Sequence, residues 1–492
     1  MPKPQRIRYP DRMNIQHALA LKKGFDHLQA HQPNKTIAIA ARVLEQDPTH
    51  ADAWCLSGIA YHHTGQCPLA LEHLNRACQL APDSWDFHNH RAVILYHLGR
   101  LEDSRSDYEH SLRLHGHQPE TLANLARLFI HMRQPHLAHP LFQKALALDP
   151  NNASVHGDMG VCLVALKSPR EGIASYRAGL ALAPENADIH YNLSRALLMV
   201  GDYEQGWIEN EWRWHAQHYR NVNQSFPFPL WQGEPLQGKK ILLIQEQGFG
   251  DAIQMIRYAP LVLQRGGRVL VLCDPLLQRL FATIPAVEHV ATPESPQPEA
   301  DCCCPMLSLP YRFATRVETI PREVPYLFPP QETPLLHAVP PSDHPRVGLI
   351  WRGKSRSQLT ASAFAPLLAI PDIQFLSLQK DLPPHELDHL PILNTQKHLI
   401  DFAATAAIMA QLDLIISMET AAAHLAGAMG KPVWILIPYA SEWRWLAEGT
   451  EAPWYPTATL YRQTQPNAWT DTIAQVAHDL ISWQRRFSSG SR

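Results

Sequence analysis

The sequence predicts two fold classes in one chain: a helical repeat array, followed by an α/β region built from two halves. Two observations support this division. Turn residues recur at a fixed interval through residues 17–214, as expected for stacked helical hairpins. From residue 239 onward, short apolar runs of buried-strand length alternate with helical segments, which is the pattern of parallel sheets covered by helices.

Composition and net charge limit the kinds of partner that the chain is expected to bind. The chain has 492 residues, 45% of them hydrophobic, and a formal net charge of −3, so it fits a globular protein of several domains with no bias toward nucleic acid. The sequence has neither a continuous apolar run of signal-peptide length near its start nor a later run of about 20 apolar residues. We therefore expect a cytoplasmic protein without a transmembrane segment.

The first region repeats with a period of 34 residues. Four prolines and one glycine mark it, at Pro48, Pro82, Gly116, Pro150 and Pro184. Small residues recur in phase, at Gly58, Ala92, Ala126, Gly160 and Ser194. This pattern resembles that of tetratricopeptide proteins, whose repeat is a helix pair of this length. The resemblance covers residues 17–214, or about five to six repeats, and implies a superhelix whose groove binds a protein or peptide.

Histidine is abundant, but no carboxylate or cysteine lies at metal-ligand spacing from the histidines. His88, His156 and His190 share one repeat position, where a ladder facing a ligand and a row of packed helix residues are the two interpretations. Cysteines cluster only at 302–304, without the paired spacing of a zinc site. We expect no bound metal and interpret these cysteines as buried strand residues.

Residues 215–238 are polar and interrupted by proline, and they predict a linker that Trp231 anchors. Just before them, Trp207, Trp212 and Trp214 fall at near-helical spacing. These tryptophans predict a docking seam between the last repeat and the next domain.

The first α/β half, residues 239–335, opens with an apolar strand at 240–245 and a glycine turn that ends in Asp251. A helix is predicted from this turn to about residue 265. Gly248, Gly250 and Gln254 lie in the same stretch as Asp251 and are expected to line a cleft with it. Asp251 itself has two interpretations, a general base or a helix N-cap, and the two are compatible.

The second half, residues 345–466, ends in a β-α-β unit at 413–439, and an amphipathic helix follows at 467–486. Ligands bind at the carboxyl ends of parallel strands, where helix N-termini offer free N–H groups to anions. The predicted site there has two parts. The turn of the unit contributes Glu419, Thr420, Ala421, Ala422 and His424. A basic loop after the first strand contributes Arg352, Lys354 and Arg356.

The succession of Glu419, Thr420 and His424 resembles the last large β-α-β unit of glycosyltransferase family 9, the bacterial heptosyltransferases. That family usually has aspartate in place of Glu419 and a longer basic loop. The resemblance implies a GT-B fold of two Rossmann-like halves, with a nucleotide-sugar donor on the second half. It places the acceptor on the first half, beside the glycine turn, with Asp251 as base. It also implies inversion at the sugar carbon without a metal or other cofactor, and a C-terminal helix that crosses back to the first half.

Three functional hypotheses follow. The first is a glycosyltransferase that modifies a hydroxyl on a protein recruited by the repeat array, an analogy from architecture with the O-linked N-acetylglucosamine transferases. The second is a catalytically inactive homologue that serves as a protein-interaction adaptor. The third, heptosyl transfer to a lipopolysaccharide core, leaves the array without a role. The first requires Asp251 to face Thr420 and Arg356 across a crevice.

Overall fold

The computed structural model describes residues 12–219, 226–331, 339–353, 359–466 and 468–488, which form two compact units. The first unit comprises the described residues up to Leu166 together with Ala181–Pro184. The second comprises Lys167–Leu180 and the described residues from Glu185 onward. The predicted cations Lys354 and Arg356 lie outside the described residues.

Up to Asn210, the described residues fold into twelve helices joined by short turns. They are α1 (Arg12–Gln29), α2 (Pro33–Gln46), α3 (Ala51–His63), α4 (Cys67–Leu80), α5 (Trp85–His97), α6 (Leu101–Leu114), α7 (Pro119–His131), α8 (Pro135–Leu148), α9 (Ala153–Ala165), α10 (Pro169–Leu182), α11 (Ala187–Met199) and α12 (Tyr203–Asn210). Helices α1 to α8 pack as four successive hairpins in the first unit, and α11 packs on α12 in the second.

Small residues allow the helices of a hairpin to lie close together. A Cβ atom on Gly58 of α3 would lie 2.7 Å from Cγ of Leu74 on α4, too close for any larger residue. Ala92 and Ala126 hold the equivalent positions in the next two hairpins and are fully buried. The in-phase small residues of the sequence therefore mark the contact line inside each hairpin.

The turn inside each hairpin requires a positive φ angle. Six residues spaced 34 apart adopt it: His31, Gly65, Gly99, Arg133, Lys167 and Gly201. Glycine adopts this conformation without steric cost, whereas a residue with a Cβ pays of order 1 kcal/mol. The glycines predict the turn from sequence, and the other three residues adopt the same turn because the flanking helices impose it.

The first sheet has four parallel strands in the order β3-β2-β1-β4. They are β1 (Lys240–Ile244), β2 (Arg268–Leu272), β3 (Val287–Ala291) and β4 (Cys302–Pro305). The helices around it are α13 (Phe249–Met255), α14 (Ala259–Gln264), α15 (Pro275–Phe281) and α16 (Leu309–Arg312). The helix predicted over 251–265 is thus divided, and a 3₁₀ turn at Ile256–Tyr258 separates its two parts.

The second sheet has six parallel strands in the order β10-β9-β8-β5-β6-β7. They are β5 (Arg346–Ile350), β6 (Gln374–Ser377), β7 (Ile392–Asn394), β8 (Leu414–Met418), β9 (Val433–Ile437) and β10 (Ala458–Arg462). Its helices are α17 (Ala365–Leu368), α18 (Phe402–Met409), α19 (Ala421–Ala428) and α20 (Thr470–Ser488). The second region of the chain is therefore α/β with parallel sheets.

The C-terminal helix α20 packs on its own half. Ile473, Val476 and Leu480 on one face of α20 join the core that also contains Trp351 and Phe364. The expectation that this helix crosses back to the first half is therefore wrong. Its apolar stripe is buried against α17 and β10 of the second half, so that half supplies the apolar surface that the stripe needs.

Part of the predicted linker belongs to the first sheet. Leu230 forms a parallel bridge with Cys303 of β4, and Trp231, 1% exposed, donates its backbone N–H to the Cys303 carbonyl at 2.8 Å. Cys302, Cys303 and Cys304 are buried free thiols on β4, as the sequence predicts. The linker is thus held by backbone pairing as well as by the Trp231 ring.

Candidate functional site

A cavity of about 550 Å³ lies where the loops of the two sheets meet, a size typical of small-ligand sites. The first sheet lines it with the turn after β1 and the start of α15. The second sheet lines it with the residues that follow β5, β6 and β8 and with the start of α18. One cavity therefore receives residues from both α/β halves.

Strand order explains why these loops meet. In the first sheet the order reverses at β1, and in the second it reverses between β5 and β8. Ligands of open α/β sheets bind at such switch points, because the connections leave a crevice at the carboxyl ends of the strands. The turns after β1, β5 and β8 all lie at these positions.

Nine of the twelve residues predicted for the site line this cavity. They are Gly248, Gly250, Asp251, Arg352, Glu419, Thr420, Ala421, Ala422 and His424. Gln254 stands behind the wall instead of on the cleft surface, because it is fully buried. The remaining two, Lys354 and Arg356, fall outside the described residues.

Asp251 lies in the first turn of α13 and is paired with Arg444 through Oδ1. The N-cap of the helix is Gly248, so the capping interpretation of Asp251 is wrong. A Cβ atom on Gly248 would lie 3.4 Å from Oδ2 of Asp251. Gly248 therefore lies next to the second carboxylate oxygen of Asp251.

Arg444 connects the two halves at the cavity wall. Its Nε donates to Oε1 of Gln254 at 3.0 Å, and the other end of the guanidinium contacts Asp251. Burial disfavours its charge, but Asp251, Glu442 and Glu419 together raise the pKa of Arg444. Arg444 is therefore a permanent cation of the site.

Glu419 follows β8 directly and lines the cavity. Burial and the neighbouring carboxylate of Glu442 raise the pKa of Glu419 to about 7, although the Trp445 indole and Arg444 act in the opposite direction. Near neutral pH this carboxyl group changes charge. In its protonated form it can donate a hydrogen bond to a ligand, and in its ionised form it repels an anion.

Thr420 is the N-cap of α19, and its hydroxyl oxygen accepts the Ala423 N–H at 3.4 Å. It also lies 3.1 Å from the Ser417 hydroxyl. The hydroxyl predicted to bind a ligand is thus engaged in capping. The first N–H groups of a helix have no intrahelical acceptor, so those of Ala421 and Ala422 are the anion donors of this turn.

His424 lies on the cavity wall but is only 5% exposed. Its Nδ1 is 2.9 Å from the Tyr455 hydroxyl, and its ring stacks on Trp445 at 5.2 Å. Burial, together with Arg444 and Arg257, holds the pKa of His424 well below its usual range, so the ring is neutral. A Cβ atom on Gly250 would lie 2.9 Å from the ring, so the imidazole sets the close approach of α13 and α19.

Arg352 is paired with Glu386, and its backbone N–H donates to Gln379 Oε1 at 3.0 Å. The adjoining Gly353 lies against Thr420, because a Cβ atom there would be 3.0 Å from Cγ2 of Thr420. Arg352 and Gly353 are thus held beside the start of α19. The guanidinium charge of Arg352 is shared with a carboxylate before any ligand is present.

Sequence reasoning missed several residues of the cavity. Arg444, Lys380, Asp274 and Asp401 add charges, and Phe402 faces Phe249 of the other half at 5.0 Å between ring centroids. Lys380 lies three residues after the end of β6, so its position after a strand was a usable signal. Arg444 gave none, because it lies in a single 3₁₀ turn, Trp443–Trp445, whose position depends on the packing of the whole second half.

The charges that line the cavity nearly balance. Four are carboxylates, of Asp251, Asp274, Asp401 and Glu419, and three are cations, of Arg352, Lys380 and Arg444. With Glu419 protonated the described wall has three charges of each sign. Binding of an anionic ligand is therefore stabilised mainly by oriented N–H groups and nearby cations, and little by the net charge of the wall.

Within the described ranges, histidines, cysteines and carboxylates form no group of three or more placed to hold a metal ion. The helices of those ranges include none with the length and apolar character needed to cross a bilayer.

Comparison with known families identifies the array. The family model described as tetratricopeptide repeat matches residues 21–84, 64–119 and 163–205. The N-terminal region consists of tetratricopeptide repeats. The prediction from the 34-residue period is therefore confirmed, and this class of repeat is typical of protein–protein interaction.

Among curated proteins, the chain is similar to Protein FlbA of Caulobacter vibrioides, with 23% identity over 96% of this chain and 91% of FlbA. Among solved structures, it is similar to Pseudomonas aeruginosa PilF, with 19% identity, a TM-score of 0.39, and coverage of 44% of this chain and 96% of PilF. A tetratricopeptide protein of Thermus thermophilus has 18% identity, a TM-score of 0.33, and coverage of 37% and 99%.

Proposed function

We propose that this protein is a cytoplasmic glycosyltransferase of the GT-B class, with its active site in the cavity between the two parallel sheets. The proposal depends mainly on one observation. The turn that carries Asp251 and the start of α19, which come from different halves, line the same cavity. A carboxylate facing helix N–H groups is the arrangement needed to activate a hydroxyl opposite a diphosphate leaving group.

In this proposal the donor is a nucleotide-sugar whose diphosphate lies at the start of α19. Its negative charge is stabilised by two backbone N–H groups, of Ala421 and Ala422, and by two cations, Arg352 and Arg444. A helix N-terminus stabilises an anion by only about 0.3 to 2 kcal/mol, so the cations are required. Arg352 has to exchange Glu386 for the diphosphate when the donor binds.

Asp251 is the proposed general base. Its Oδ1 is held by Arg444, which fixes the orientation of the carboxylate. Its Oδ2, beside Gly248, then accepts the proton of the acceptor hydroxyl as the sugar carbon is attacked from the face opposite the diphosphate. The configuration at that carbon inverts, and no metal is needed because N–H groups and guanidinium groups take the leaving charge.

The repeat array supports a protein or peptide acceptor. Tetratricopeptide repeats bind extended segments of other proteins, and such a segment presents serine or threonine hydroxyls. We propose that the array recruits the acceptor and that the cavity modifies it.

A second candidate function, a non-catalytic adaptor, is favoured by two ion pairs. Asp251 is already paired with Arg444, and Arg352 is already paired with Glu386. Both charges proposed to act on substrates are thus neutralised within the protein. In this alternative the cavity has no catalytic role, and the protein functions only by binding partner proteins through the repeat array.

The test is donor binding followed by transfer, with purified full-length protein. A nucleoside diphosphate at 100 times its dissociation constant should stabilise the protein by about 2.7 kcal/mol, which a thermal-shift screen detects. Asp251→Asn should then lower the transfer rate by about 100-fold or more with donor affinity retained. Asp158→Asn is the matched control, because Asp158 is paired with Arg127 at 2.6 Å in the array. Absence of both binding and transfer in the unmodified protein favours the adaptor.

A further inference from the structure

An arginine of the last repeat forms an ion pair with a loop of the α/β region. Arg195 of α11 and Arg127 of α7 occupy the same repeat position, two periods of 34 residues apart. Arg127 pairs with Asp158 of the neighbouring repeat at 2.6 Å. Arg195 instead places its Nη2 2.7 Å from both carboxylate oxygens of Glu442, in the loop after β9.

Glu442 connects Arg195 to the cavity wall. It lies between two guanidinium groups, with one of its oxygens 2.7 Å from Arg195 Nη2 and 3.7 Å from Arg444 Nη1. Arg444 is in turn held by Gln254 and paired with Asp251. A continuous series of charged contacts therefore runs from the last repeat to the carboxylate in the first turn of α13.

Two carboxylates, Asp251 and Glu442, compete for Arg444. Glu442 pairs with Arg195 at hydrogen-bond distance, whereas its contact with Arg444 is longer, at 3.7 Å. Without Arg195, Glu442 would close on Arg444 to the usual N–O distance of about 2.8 Å, a movement of about 1 Å. Arg444 would then move away from Asp251, and a displacement of about 1 Å at a reacting group can cost about 100-fold in rate.

We propose that Arg195 is a positioning residue for Asp251, acting through Glu442 and Arg444, and that the last repeat is part of the active-site structure. This inference rests on the proposed function, since it assigns a purpose to the position of Asp251.

The test compares three variants of the full-length protein by transfer kinetics. Arg195→Ala should lower kcat by about 10- to 100-fold. Adding Glu442→Gln to Arg195→Ala should restore most of kcat, because a neutral amide no longer draws Arg444 away. Arg127→Ala, the equivalent arginine of an earlier repeat, should leave kcat unchanged. A double variant no faster than Arg195→Ala, or an equal loss in Arg127→Ala, overturns the inference.

A second measurement keeps this test separate from the proposed function. Hydrogen exchange of the segment 247–255, followed by mass spectrometry without any substrate, reports the order of the turn that carries Asp251. Faster exchange in Arg195→Ala but not in Arg127→Ala supports the positioning role even if no sugar is transferred. Equal exchange in the two variants overturns it.

Discussion

The early repeats and the last repeat share one sequence pattern but use their outward residues differently. In the early repeats, arginines pair inside the array, as Arg91 does with Asp107 and Arg127 with Asp158. In the last repeat, Arg195 pairs with Glu442, which is 247 residues further along the chain. The period thus specifies the helical hairpin, whereas residues outside the contact line decide what the hairpin packs against.

Large side chains show the same difference. Trp207 of α12 is 2% exposed and meets Trp443 and Trp454 of the second half edge to face. Just beyond it, the fully buried Arg213 bonds Glu246 at the end of β1. The last repeat is therefore built into the α/β unit, and the predicted tryptophan seam lies there through Trp207.

The largest expected effect is a loss of stability that is confined to one region or the other. Trp207→Ala and Phe142→Ala each remove a buried aromatic ring and should each cost about 3 to 5 kcal/mol. The first should destabilise the sheets around Trp454, and the second only the array core that contains Phe142. Hydrogen exchange resolved by segment checks this assignment. If Trp207→Ala left exchange in β1 and β9 unchanged, the comparison would fail.

A smaller effect tests whether charges of the last repeat act in the cavity. The raised pKa of Glu419, about 7, means that stability from its protonated form is present at low pH and lost as pH rises through 7. Glu419→Gln should therefore gain stability over the natural protein by about 2 kcal/mol between pH 5.5 and 8, measured by denaturant unfolding.

The pH dependence that Glu419 causes also distinguishes Arg195 from Arg127. Arg195 lowers the pKa of Glu419, so Arg195→Ala should move the midpoint of this pH dependence upward. Arg127→Ala, whose partner is Asp158, should leave the midpoint unchanged. A common shift in both variants would show that the last repeat has no special electrostatic role.

The smallest effect concerns a hydrogen bond that recurs through the array. Side chains at one repeat position contact the proline carbonyl six residues earlier, in the pairs Trp54–Pro48, His88–Pro82 and His156–Pro150. Trp54→Phe keeps an aromatic ring and removes the donor, so it should cost about 0.5 to 1 kcal/mol. Calorimetry should show the loss in the array transition, with the α/β transition unchanged.

That recurring bond also decides between the two interpretations of the histidine row. His88 and His156 use a ring nitrogen to hold their own repeat, as the Trp54 indole does in another repeat. His190 stacks on Trp212 at 4.1 Å and bonds Glu209. These histidines are packed helix residues, which is the interpretation opposed to a ligand ladder.

Short elements were hard to predict because local pattern identifies only long or strongly periodic ones. The three residues of β7 and the eight of α18 are too few to give a period. The 3₁₀ turn that interrupts the helix predicted after Asp251 contains Tyr258, whose hydroxyl is 2.7 Å from Thr315 Oγ1, a contact across the half. Such a distant partner leaves no trace in local periodicity.

The sequence by itself determined the repeat period, the strand-turn-helix order and the loops that follow β1, β5 and β8, because these depend on neighbours within one or two turns of the chain. Tertiary structure alone decided that Arg444 pairs with Asp251 and that Arg195 supports it through Glu442. Those contacts join residues about 190 and 250 positions apart. Ion pairing over such separations depends on where packing of the whole unit brings each backbone, which short-range pattern does not encode.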